Sequence, residues 1–136
     1  LGLVEDLNRL GLRLAMECDL PPAALAAFIE RFPPGLFGIN YDIGNSASLG
    51  FDPAEEFAAY GTRIVNVHVK DRHLGGNTIA LGEGNADFDA VFAELAKLGY
   101  SGNLILQTAR DPAGEHLSSL IRFGEMTVDW MTRHRT

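Results

Sequence analysis

The 136 residues carry 18 Asp+Glu against 11 Lys+Arg, a net charge of −7 with His neutral, and 46% of them are hydrophobic. That is one domain's length with an ordinary globular composition, enough for a packed core, and its acidity makes it a poor partner for a phosphate backbone, so nucleic acid is not expected as a ligand. No apolar run approaches the roughly 18 residues of a membrane span, no signal peptide is evident, and the one cysteine, Cys18, has no partner for an internal disulfide, so a cytoplasmic protein is expected.

In chain order, Leu1 to Asn8 reads as the tail of a helix, with Gly11 as its stop. The chain opens in mid-pattern and without Met, so a fragment is expected. Leu12 to Glu17 is a short strand ending in a carboxylate. Cys18 to Pro22 is a loop, and Ala23 to Phe32 a helix with Leu25, Phe28, Ile29 and Phe32 at helical spacing. Pro33, Pro34 and Gly35 stop it. Leu36 to Asp42 is a second strand that again ends in an acid. Ile43 to Gly50, rich in Gly and Ser, reads as a loop. Asp52-Pro53 is an N-cap with Pro in the first helical turn, opening a helix to about Tyr60.

Arg63 to Val69 is the third strand. Ile64, Val65, Val67 and Val69 make it almost continuously apolar, as in a parallel sheet covered on both faces. His68 sits near its C-terminal end, and Lys70, Asp71 and Arg72 follow directly. Lys70 to Ala86 is a long loop with a turn at Gly75-Gly76-Asn77. Asp87 to Leu98 is a helix, Asn103 to Thr108 the fourth strand, Asp111 to Gly114 a loop, and about Glu115 to Arg133 a last amphipathic helix. Strands alternating with helices predict parallel βα units with right-handed crossovers. Four such units are half of a barrel that needs eight in ~250 residues; a small open parallel sheet is the alternative.

The four strands end at Glu17, Asp42, His68 and Gln107, and chemistry in such folds is placed at the C-terminal ends of strands. Two carboxylates, an imidazole and an amide oxygen suit a divalent ion such as Mn, Co, Mg or Zn. Each residue alone has a plainer reading. Glu17 alone reads more readily as a cap or a solvated loop acid, and His68 equally as a hydrogen-bonded core histidine. Asp42 and Asn45 read equally as a self-ordered turn. It is the set of four polar ends on four apolar strands that points to a site. Lys70 and Arg72 are candidates for binding a substrate's phosphate or carboxylate, or for pairing with Asp71 and nearby acids. Cys18 is expected to be inert, and His73, His116 and His134 to lie on the surface or in loops. No dinucleotide, P-loop or zinc-finger spacing is present.

Four segments come in order with fitting gaps: Y-D-I-G-N-S at 41–46, V-H-V-K-D-R at 67–72, L-G-E-G-N-A-D-F at 81–88 and G-Y-S-G-N-L-I-L-Q at 99–107. Together they resemble the sugar phosphate isomerase/epimerase family with the xylose-isomerase-like TIM barrel. The resemblance spans nearly all of residues 1–136 as a single domain and implies the C-terminal half of the barrel, strands five to eight. It implies a divalent metal held by Glu17, Asp42 and His68, with Gln107 at a place where the family commonly has Glu. It also implies Glu17 as the acid/base of a sugar or sugar phosphate isomerase or epimerase. Glutamine offers a carbonyl oxygen but takes up no proton at neutral pH. One remaining base favours aldose–ketose isomerisation over 3-epimerisation, which handles protons on both faces of a carbon. Asn45, Lys70 and Arg72 are the expected substrate-binding residues. Rival readings are a non-catalytic sugar-binding or inactive relative and, less favoured by so acidic and His-poor a chain, an apurinic endonuclease-like enzyme. A half barrel leaves strand edges unpaired, so the missing half or self-association is an expected partner.

Overall fold

The computed structural model describes residues 2–134. Helix α1 (Gly2–Leu10) ends where Gly11 takes φ 64 and the Leu12 N–H returns to the Leu7 carbonyl; Leu1 of the expected helix tail lies outside the described residues. Strand β1 (Leu14–Met16) is shorter than its apolar pattern, and Glu17 stands one residue beyond it. Helix α2 (Pro22–Ile29) starts on a proline, whose fixed φ suits the first turn. Strand β2 (Phe37–Asp42) is buried along its whole length.

The stretch expected as a loop after Asp42 is instead helix α3 (Ile43–Leu49). Gly, Asn and Ser are weak helix formers, but the helix is set from both ends. Asp42 caps it by accepting from the Asn45 N–H at 2.8 Å, and Gly50 closes it in the left-handed region at φ 74. Tertiary packing supplies the rest, with Ile43, Gly44 and Ser48 buried. A side chain at Gly44 would collide with Lys70, 2.7 Å from its Cγ, so glycine lets this helix lie against β3.

Helix α4 (Pro53–Tyr60) is capped by Asp52, as its Asp-Pro start predicts, and a 3-10 turn over Gly61–Arg63 feeds strand β3 (Ile64–Val69). The long loop after it holds a small antiparallel pair, Asp71–Arg72 with Thr78–Ile79, around the Gly75 turn. Helix α5 (Phe88–Lys97), strand β4 (Asn103–Leu106) and helix α6 (His116–His134) complete the chain.

The four long-range strands form one parallel sheet in the order β1-β2-β3-β4. Period-2 alternation sorts its faces. Phe37, Ile39, Tyr41, Val67 and Val69 pack under the helices, with Leu25, Ile29, Phe57, Val91, Phe92 and Phe123. Val67 and Val69 are wholly buried, each a gain of roughly 1.5–3 kcal/mol from burial. Trp130 of α6 stacks on Phe88 of α5 with centroids 4.2 Å apart. The opposite face carries Asn40 and Asp42 of β2 opposite Asn66 and His68 of β3. Among the described residues no helix is long and apolar enough to cross a membrane.

Candidate metal centre

Register brings the strand-end residues together. Asp42 and His68 are direct partners on neighbouring parallel strands, and His68 Nδ1 lies 3.6 Å from Asp42 Oδ2. Glu17, one residue past β1, reaches the same point, its Oε2 3.3 Å from His68 Nδ1. One ligand atom from each of Glu17, Asp42 and His68 lies within 4.8 Å of the others. Asp42 is buried, His68 half-buried and Glu17 exposed, so the cluster opens to solvent through Glu17.

The donor set fits a divalent cation. Zinc bonds of about 2.0–2.2 Å to N and O place two ligand atoms of one ion about 3.0–3.5 Å apart, close to the 3.3 and 3.6 Å between His68 Nδ1 and the two carboxylates. An imidazole nitrogen facing two carboxylate oxygens attracts a cation, because a positive charge between them turns lone-pair repulsion into attraction. Asp42 serves two tasks with two oxygens: Oδ1 caps α3 and Oδ2 faces His68. It therefore orders its own turn, as one reading of the sequence has it, and also enters the cluster.

Gln107 stands one residue past β4, its N–H donating to the Val69 carbonyl at 3.1 Å. Continuing the pairing of His68 with Ile105 and Val69 with Leu106 sets it beside Lys70, one level beyond His68, where it is exposed. It shares the face of the cluster.

Asn45 is the hub next to the cluster. Its Nδ2 donates to Glu17 Oε1 at 2.9 Å, and its Oδ1 accepts from Lys70 Nζ at 3.1 Å and from Arg72 Nη1 at 2.9 Å. Lys70 also pairs with Asp42 Oδ2 at 3.3 Å. Arg72 donates otherwise to the Gly76 carbonyl and, among the described residues, has no carboxylate partner. Neither cation pairs with Asp71. That carboxylate is fully buried and accepts the N–H groups of Arg72, Gly82, Gly84 and Ala86 at 2.9–3.1 Å, tying the long loop to the end of β3.

Two networks escape a reading by strand ends. Asn40 donates to Glu17 Oε2 at 2.6 Å and receives from Asn66 at 2.5 Å. The signal for both was their parity with Asp42 and His68. Glu56 of α4 is 1% exposed and accepts the hydroxyls of Tyr41, Ser46 and Tyr60 at 2.6–2.8 Å, locking β2, α3 and α4 together. Burial pushes the Tyr41 and Tyr60 hydroxyls well above the usual tyrosine range, and the neighbouring Glu56 carboxylate adds to it. Nothing local in the sequence pairs residues 41, 46, 56 and 60. Cys18 is a half-buried free thiol whose pKa is raised by burial and then by the charges of Asp19 and Glu17, which keeps the reactive thiolate scarce. His73 and His116 are exposed, as expected, while His134 is half-buried and contacts Asp89 at 2.9 Å.

A family model described as xylose isomerase-like TIM barrel matches residues 3–124. Inosose dehydratase of Geobacillus kaustophilus (strain HTA426) is 30% identical over 124 residues, covering 78% of this chain and 40% of that protein. L-ribulose-5-phosphate 3-epimerase UlaE of Salmonella paratyphi C (strain RKS4594) is 38% identical over 84 residues, covering 58% of this chain and 30% of that protein. The crystal structure of IOLI protein with a binding zinc atom superposes with a TM-score of 0.75 at 17% identity, covering 99% of this chain and 54% of that one. The chain thus spans two fifths or less of these curated relatives and about half of the solved chain.

Proposed function

This chain belongs to the xylose isomerase-like TIM barrel family, and from that premise we propose that it supplies the C-terminal half, strands five to eight, of a metal-dependent isomerase or epimerase acting on a sugar or sugar phosphate. The observation that carries the reading is the meeting of Glu17, Asp42 and His68 at the C-terminal ends of three parallel strands. The relatives named as an inosose dehydratase and a ribulose-phosphate epimerase, and the neighbour named as binding zinc, support it.

Glu17, Asp42 and His68 would hold the ion, with Gln107 offering a fourth, neutral oxygen. A divalent ion bound there, Mn, Co, Mg or Zn, supplies a Lewis acid that polarises a carbonyl oxygen. Glu17 is the acid/base: it moves the proton at the carbon beside that carbonyl. Its exposure gives a substrate access, and two amides aim its oxygens. Arg72, half-buried and without a carboxylate partner among the described residues, and Lys70 receive the substrate's anionic end, while Asn45 hydrogen-bonds a hydroxyl. With Gln107 in place of a second acid, one base shuttling a proton on one face favours aldose–ketose isomerisation. The free thiol of Cys18 accords with a reducing, cytoplasmic setting.

The test is solvent exchange. The chain, completed to a full barrel, is incubated in D2O with each metal and a set of aldoses and ketoses, free and phosphorylated. Deuterium enters the carbon beside the carbonyl with the native chain and not with Glu17→Gln. Absence of exchange with every sugar and metal would overturn the proposal.

A further inference from the structure

We infer that Asn66 and Asn40 form a polarity-locked relay that positions Glu17, making both of them positioning residues for the candidate metal centre; this rests on the metal reading above. Glu17 is the least constrained of the three cluster residues. It lies one residue past the end of β1 with its side chain 37% exposed. A free glutamate samples many rotamers, and fixing it costs up to about 2 kcal/mol. Two amides hold it, Asn45 on Oε1 and Asn40 on Oε2.

Asn45 sits on α3 among the substrate-facing groups, whereas Asn40 is only 8% exposed and set in the sheet face beneath the cluster. Its contacts fix which way its amide points. Asn66 donates Nδ2 to Asn40 Oδ1 at 2.5 Å, so Asn40 turns its NH2 to Glu17 Oε2 at 2.6 Å and lies 3.2 Å from His68 Nδ1. A flipped Asn40 would oppose oxygen to the Glu17 carboxylate and NH2 to the NH2 of Asn66. Carboxylates only accept, so one orientation satisfies both ends. Asn40 and Asn66 are register partners on β2 and β3, just past a register irregularity between Ile39 and Asn40, which places the relay on the sheet itself.

Asn66→Asp is nearly isosteric but has no donor for Asn40 Oδ1, so it reverses the relay and presents Asn40 Oδ1 to Glu17. Asn40→Leu removes the relay's middle while filling the same space. Co2+ affinity is read from the visible absorption of the bound ion in the native chain, in both variants and in Asn77→Asp, a matched charge change in the exposed Gly75 turn. Supporting hydrogen bonds around metal ligands are worth about 10–100-fold in affinity, so both relay variants are expected to bind at least about ten-fold more weakly, with Asn77→Asp unchanged. Charge alone predicts the reverse for Asn66→Asp, since an added anion attracts a cation. Near-UV circular dichroism reports whether each variant folds, and if Asn66→Asp does not, Asn40→Leu decides. Relay variants that bind as tightly as the native chain, or more tightly, overturn the relay alone. A native chain that binds no Co2+ overturns the metal reading and the relay with it.

Discussion

Asp42 and His68 face each other across adjacent parallel strands, and the facing atoms, Oδ2 and Nδ1, stand 3.6 Å apart. The pairing follows from register: both are even-numbered positions on a face whose odd neighbours, Tyr41, Val67 and Val69, are buried under the helices. Removing the imidazole takes the nitrogen ligand from the three-residue cluster and leaves Asp42 paired with the Lys70 ammonium. Elemental analysis of the purified native chain is expected to find near-stoichiometric divalent metal after supplementation, and His68→Ala is expected to lose it. Equal metal in both would remove His68 from the site.

Gln107 invites the opposite change. Gln107→Glu places a carboxylate one register level beyond His68 and beside Lys70. A charged oxygen binds a divalent ion more tightly than an amide oxygen, so calorimetry is expected to show tighter Mn2+ binding. Isomerase turnover is expected to fall, because the native reaction uses a neutral group there. A rise in turnover would instead favour the inactive-relative reading, in which glutamine marks lost chemistry.

The hydroxyls around Glu56 make a prediction at high pH. The chain has three tyrosines. Tyr41 and Tyr60 are held well above the ordinary value of 10.0 by burial and by Glu56, and burial pushes Tyr100 up to about 12. Tyrosinate absorbance should therefore show no step near pH 10 while the chain stays folded. The sign for stability follows from proton binding. Above pH 10 the unfolded chain gives up phenolic protons that the folded chain retains, so this contribution is full below pH 10 and declines as pH rises toward the folded values. Urea unfolding at pH 8 and pH 11 measures the decline. Glu56→Leu leaves three hydroxyls without their acceptor and is expected to cost about 2–4 kcal/mol by the same assay, most of it desolvation of buried donors.

Gly84 governs the long loop after β3. A Cβ there would overlap the Asp71 carboxylate, which holds that loop through four backbone N–H groups. Gly84→Ala is expected to cost about 2 kcal/mol or more, since buried acceptors and donors must part. It should also open residues 73–85 to limited proteolysis. Because Asp71 lies between Lys70 and Arg72, sugar phosphate binding should weaken more than metal binding.

Local patterns in the sequence are enough for the order of elements and for the positions of the candidate site residues. Period-2 and helical spacing are local, so β2, β3, α2, α5 and α6 were legible within a few residues, as were the caps at Asp52 and Gly11. The polar ends Glu17, Asp42 and His68 were legible for the same reason, each interrupting an apolar run. Which of these ends meet was left to tertiary structure, because contact across strands depends on register, and register is set by packing between segments more than twenty residues apart. Pairing of β2 with β3 joined Asp42 to His68 and Asn40 to Asn66, while Gln107 went one level further along. Tertiary contacts also made a helix of 43–49 against its weak intrinsic propensity, through the Asp42 cap, the buried Ile43 and the close approach of Gly44 to Lys70. They chose the partners of the charges as well. Lys70 went to Asp42 and Asn45, Asp71 to backbone N–H groups, and Arg72 was left without an acid among the described residues. A buried charge takes whichever donors or acceptors the fold brings within about 3 Å, and proximity along the chain does not decide which those are.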